Sequence, residues 1–120
     1  MKPTLVLGAS PNPDRYAHKA TLSLLEKGHK VYPVGLRPGY IGEEKILVDT
    51  PNIADVDTVT LYVGPKNQPQ YYDYLLNTIS PKRIIFNPGT ENEELIKKAQ
   101  AKGIATEVAC TLVLLSIDNY

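Results

Sequence analysis

Residues Thr4-Leu5-Val6-Leu7-Gly8-Ala9-Ser10-Pro11-Asn12-Pro13-Asp14-Arg15-Tyr16 decide the fold. The run Thr4 to Leu7 is apolar without a polar alternation, as in a strand buried on both faces of a parallel sheet. Gly8 closes it, and Ala9 to Asp14 is a loop of turn residues. From Tyr16 to Lys27 the period becomes helical. Ala17, Ala20, Thr21, Leu24 and Leu25 share one face, and Gly28 stands where a helix ends. The stretch is a strand, a turn and a helix.

Further along, the same alternation recurs. Strands are predicted over 30–34, 58–63, 82–86 and 103–108, and helices over 67–79, 90–102 and 111–118. The helix over 67–79 would bury Tyr71, Tyr74, Leu75, Thr78 and Ile79. Thr90 with Glu93 reads as a capping box. Leu36 to Asp55 is less regular, with one short extra strand or turn near Ile46-Leu47-Val48. Five strand–helix units with short connections predict one α/β domain over 1–120. It is a three-layer sandwich, a mostly parallel five-stranded sheet with helices on both faces and right-handed crossovers.

Composition narrows the function classes. Thirteen basic residues balance thirteen acidic ones. That argues against a general grip on nucleic acid and against a polybasic membrane anchor. One cysteine leaves no internal disulfide and no multi-cysteine zinc site. Neither a signal-peptide core nor a membrane span is visible, so a soluble, cytoplasmic protein is expected.

In an open α/β sheet, ligands bind beyond the carboxyl ends of the strands. Those ends fall at Gly8-Ala9-Ser10, Gly35-Leu36-Arg37, Gly64-Pro65-Lys66, Asn87-Pro88-Gly89 and near Cys110, and four of the five carry glycine. Only Gly8 matches the G-x-G-x-x-G fingerprint, and no G-x-x-x-x-G-K-[ST] loop is present. An anion is still favoured at the first helix N-terminus, with the Ser10 hydroxyl, the Arg15 fork and Lys19 at hand. Alternatively, Arg15 and Lys19 are solvated charges. NAD-binding folds place an acid at the end of the second strand. Here stands Arg37, which suits a phosphate on the ribose and so NADP or coenzyme A, unless it is an exposed loop charge.

The remaining reactive residues form no set. His18 has no visibly paired nucleophile and reads as a partly exposed helix histidine. His29 reads as structural. Cys110 is either a small buried hydrophobe or a thiol activated by the last helix. Glu91, Glu93 and Glu94 favour a helix dipole, and no metal site is expected. Tyr16 either stacks on a base or packs at the helix start.

Gly8-Ala9-Ser10-Pro11-Asn12-Pro13-Asp14-Arg15-Tyr16 closely resembles the first loop of the small, stand-alone CoA-binding proteins. These are similar to the N-terminal domain of the succinyl-CoA synthetase alpha subunit. Gly28-His29-Lys30-Val31-Tyr32-Pro33-Val34, Ile41-Gly42, Val56-Asp57, Asn87-Pro88-Gly89-Thr90-Glu91-Asn92 and Cys110 extend the resemblance across nearly the whole chain. It implies a Rossmann-like domain that binds coenzyme A or acyl-CoA. Carried over by position, Gly8, Ala9, Ser10, Pro11 and Arg15 belong to the loop that faces the diphosphate, with Lys19 assisting. Gly35, Leu36 and Arg37 face the ribose phosphate or adenine. Val63 and Gly64 line the adenine slot, and Asn87, Pro88 and Gly89 lie near the diphosphate or pantetheine. The chain departs from the family where Gly35-Leu36 replaces an Asn-Pro pair and Ala17 a small hydroxyl residue. The synthetase's second domain, with its phosphorylated histidine, is not expected in these 120 residues.

Three readings follow. The first is a binding module for this nucleotide ligand, acting without chemistry of its own, as a homodimer or with a protein partner. The second is a small NADP-linked or acyl-CoA enzyme using Cys110 or His18. The third is an interaction scaffold that has lost the ligand.

Overall fold

The computed structural model describes residues 1–120. Its first strand, β1, spans Thr4–Leu7 and is buried at every position. Successive side chains leave opposite faces. Leu5 and Leu7 enter one core with Val59, Leu61, Ile84 and Phe86. Val6 enters another with Ala17, Leu24, Val31 and Leu115. An apolar run without polar alternation is what two such cores require of one strand.

After α1 (Tyr16–Glu26) the chain forms β2 (Val31–Val34). It then makes a two-stranded antiparallel hairpin of β3 (Tyr40–Ile41) and β4 (Glu44–Lys45). β5 (Thr58–Leu61), β6 (Arg83–Phe86) and β7 (Ala105–Val108) complete the main sheet. Its order is β2-β1-β5-β6-β7, with every neighbouring pair parallel. Leu7 lies level with Val34 on one side and Leu61 on the other. The chain runs outward from β1 to β2 and then crosses back to β5. The loops after β1 and β5 therefore part from adjacent strands, which opens a crevice at that point.

α1 and α3 (Thr111–Ser116) pack together over one face, and Leu115 joins that face's core. A helix over Tyr74–Ile79 and α2 (Glu93–Ala101) cover the other through Leu75, Ile79, Leu95 and Ala99. No helix is long and apolar enough to cross a membrane. The α/β architecture is as predicted.

Several local expectations are corrected. The helix over 67–79 does not run as one α-helix. Pro65 and Pro69 each open a single 3-10 turn, because proline has a fixed φ and no donor. Tyr74–Ile79 then winds as a π-helix, closed by the Ser80 N–H on the Leu75 carbonyl at 3.0 Å. The wider turn buries Leu76 and leaves Thr78 exposed. The cap of α2 is Asn92, not Thr90. Its side chain accepts the Glu94 and Leu95 N–H groups, whereas Thr90 is buried with its hydroxyl on the Asn87 carbonyl at 2.8 Å. Near Ile46-Leu47-Val48 only Leu47 bridges, to Val34.

At the amino edge of the sheet the Lys2 N–H donates to His29 Nδ1 at 2.9 Å, and the His29 ring meets Tyr120 edge-on at 5.0 Å. Burial lowers the His29 pKa below its ordinary 6.5, as do the N-terminal ammonium, Lys2 and Arg83, with Asp57 opposing. Below 6.5 the unfolded chain takes up a proton that the folded ring resists, so stability is fully present above 6.5 and declines as pH falls. The denaturation midpoint should fall between pH 7 and 5, and His29→Asn should flatten that fall. An unchanged pH profile in the variant would remove His29 as the cause.

Candidate functional site

The loops after β1, β2, β5 and β6 enclose a cleft of about 1180 Å³ at the carboxyl ends of the strands. Every expected position lines it except Lys19 and Asn87. The Lys19 ammonium lies instead over the Tyr16 ring, 5.4 Å from its centre. Asn87 is buried and spends its amide on Thr60, Leu61 and Thr111.

The first loop is held rigid by its own side chains. Ser10 Oγ accepts the Asn12 N–H at 3.1 Å, and Asn12 Oδ1 accepts the Asp14 N–H at 3.0 Å. His18, expected to be partly exposed, is buried, and its Nδ1 donates to the Ser10 carbonyl at 2.9 Å. That ring is therefore committed to the loop's shape. A loop ordered before binding spares the ligand that cost.

The backbone donors differ from the simple expectation for this loop. The N–H groups of Gly8 and Ala9 both donate to the Val34 carbonyl at 2.9 Å, so neither is left for an anion. The free donors lie further on. α1 has Arg15 at its N-cap, where Ser, Thr, Asp or Asn is usual, and no side chain caps it. The N–H groups of Ser10, Tyr16 and Ala17 find no acceptor in the chain. An uncapped helix start beside a cleft favours an anion through its dipole and its orphan donors.

The glycines divide into two kinds. Gly8, at φ +97°, would bring a Cβ within 3.0 Å of the Tyr62 backbone, and Gly35 would bring one within 2.2 Å of the Ala9 carbonyl oxygen. These two let loops touch each other. Gly64 and Gly89 would meet nothing within 4 Å and border open cleft.

Arg15 and Arg37 are exposed on the cleft, and the two ion pairs of the chain, Lys27–Asp118 and Arg83–Glu107, involve neither. Tyr16 is 69% exposed at the rim. Tyr62 lines the cleft, but its hydroxyl is buried without a partner, and burial pushes its pKa up to about 12. It stays a neutral phenol. Cys110 is half-buried, forms the N-cap of α3 and does not line the cleft. His18 and Cys110 thus lie in separate structural tasks and do not meet there.

Sequence reasoning missed several wall residues. Val48, Asp49 and Thr50 line the cleft, as do Asn67, Gln70, Tyr71 and Thr90. It also missed Gln68, which is fully buried although it stands in a polar, proline-flanked turn. Its Nε2 donates to the Val63 and Thr90 carbonyls, both at 2.8 Å, and so ties the β5 loop to the β6 loop. No local pattern announces that role.

A family model described as a CoA binding domain matches residues 2–116. The chain is similar to an uncharacterized protein of known crystal structure, at 48% identity and a TM-score of 0.97, over 100% of this chain and 98% of that one. It is also similar to a hypothetical protein from Pyrococcus horikoshii OT3, at 30% identity and a TM-score of 0.78, over 92% of this chain and 78% of that one. A conserved hypothetical protein from Pyrococcus furiosus aligns at 28% identity and a TM-score of 0.77, over 89% and 92% of the two chains. No curated protein matches.

Proposed function

Because this chain belongs to the CoA binding domain family, we propose that its cleft binds coenzyme A or an acyl-CoA and does no chemistry on it. The observation that carries the reading is the uncapped start of α1 beside two unpaired arginines in one cleft. Coenzyme A has a diphosphate and a separate ribose phosphate. In this reading the free N–H groups of Ser10, Tyr16 and Ala17 and the Arg15 fork take the diphosphate. Arg37, after β2, takes the ribose phosphate. The glycine contacts support preorganisation of these donors, and Gly64 leaves the backbone open to the ligand.

Calorimetric titration of ligand-free protein with CoA, dephospho-CoA, NAD and NADP tests this. CoA should bind saturably, and dephospho-CoA about tenfold more weakly, the worth of a charge-assisted contact. Arg37→Ala should bring the two ligands to equal affinity, whereas Arg15→Ala should weaken both alike. Absence of heat and of any thermal shift with CoA would sink the reading. The fold would then be a scaffold for protein contacts.

A further inference from the structure

We propose that Asp49 is a specificity-determining residue whose carboxylate accepts a hydrogen bond from the free ribose hydroxyl of the ligand. The inference rests on the CoA reading above and deepens it. The end of β2 carries Arg37 and no acid of its own. The fold brings one there from further along the chain. The Gly35 N–H donates to the Leu47 carbonyl at 2.9 Å, and the Leu47 N–H donates to the Pro33 carbonyl at 2.8 Å. Leu47 thereby bridges Val34 in parallel. Val48, Asp49 and Thr50 then run past the end of β2 and line the same cleft as Leu36 and Arg37.

Asp49 is exposed there and has no hydrogen-bond or ion-pair partner within the chain. It is the one acidic residue on the cleft wall. Its backbone sits at φ +63°, followed by Thr50 at +43°, a region disfavoured for side-chain-bearing residues and most for β-branched ones. The segment is pinned on both sides, by the Leu47 bridge and by the Tyr74 hydroxyl on the Pro51 carbonyl at 2.6 Å. A carboxylate accepts and does not donate, so it repels phosphate and matches a hydroxyl. The end of the second strand is where open α/β sheets hold a ribose. A ribose with one phosphate and one hydroxyl satisfies Arg37 and Asp49 together.

The test is a cycle of CoA and 2′-deoxy-CoA against wild type, Asp49→Ala and Asp49→Gly. Glycine keeps the left-handed backbone accessible, so one variant survives if alanine strains the loop. Wild type should bind 2′-deoxy-CoA roughly tenfold more weakly than CoA, since a hydrogen bond to a charged group is lost. Both variants should bind the two ligands equally. A general loosening of the loop weakens both ligands and leaves their ratio intact. If wild type binds CoA but does not discriminate, or if the ratio persists in the variants, the role of Asp49 is overturned while the CoA reading stands. If wild type binds neither ligand, the CoA reading itself fails and takes this inference with it.

Discussion

Gly35→Ala is expected to lower folding stability by about 3 kcal/mol and to disorganise the cleft, although it adds a single methyl group. The added Cβ would lie 2.2 Å from the Ala9 carbonyl oxygen and 3.1 Å from its carbon. Both are backbone atoms and cannot turn aside as a side chain would. Ala9 is also fixed where it is, because its N–H and that of Gly8 share the Val34 carbonyl. Relief requires the β1 and β2 loops to part. That strains three bonds: Gly8 and Ala9 to Val34, and Gly35 to Leu47. At about 1 kcal/mol net each, their loss sums to the stated figure. The control is Gly64→Ala. Gly64 has an ordinary φ of −64° and nothing within 4 Å of an added Cβ, so its effect on stability should stay within about 0.5 kcal/mol. Urea denaturation of the two variants beside wild type decides it. Equal midpoints for Gly35→Ala and Gly64→Ala would mean that the Gly35–Ala9 approach holds nothing together.

Gly35 also shows where reading a sequence stops. The strands were legible because two cores force apolar runs such as Thr4 to Leu7, and that signal is local. The cleft was legible because its position follows from topology, once the strands are in order. Which glycine borders the open cleft and which meets another loop was not, since Gly35 and Gly64 look alike until Ala9 is brought against one of them. The cap of α2 was misplaced because Thr90 and Asn92 are both capping residues. What separates them is tertiary: Thr90 is drawn into the interior by the Asn87 carbonyl. The π-helix arises in the same way, from Tyr74, Leu75 and Leu76 entering one core together, which a 3.6-residue period does not foretell. Asp49 and Gln68 carry no sequence signal at all. One arrives at the cleft by a single bridge at Leu47, and the other is recognised only by the two carbonyls it holds.

The second large effect is expected at Asn87. The resemblance put this residue beside the ligand, but the structure puts its side chain inside, 1% exposed. Its Nδ2 donates to Thr60 Oγ1 at 2.7 Å and to the Leu61 carbonyl at 3.0 Å. Its Oδ1 accepts the Thr111 N–H at 2.8 Å, the first N–H of α3. One amide thus joins β5, the β6 loop and α3. Asn87→Ala would leave the Leu61 carbonyl and the Thr111 N–H buried without partners. Each such orphan costs about 1–3 kcal/mol, so a loss of about 3 kcal/mol is expected in urea denaturation. Asn87→Asp should be at least as damaging at pH 7. It sets a carboxylate oxygen against the Leu61 carbonyl and buries a charge. Burial raises the pKa of such a carboxyl, and the protonated form regains one donor. The aspartate variant should therefore recover stability relative to the alanine variant as pH is lowered from 7 toward 5. A loss under 1 kcal/mol in Asn87→Ala, or parallel pH profiles for the two variants, would contradict this account. The same logic separates positioning from contact at the cleft. Asn87 holds Pro88 and Gly89 at the wall without lining it. Any affinity lost on its removal should then track the lost order of that loop, whichever part of the ligand is altered.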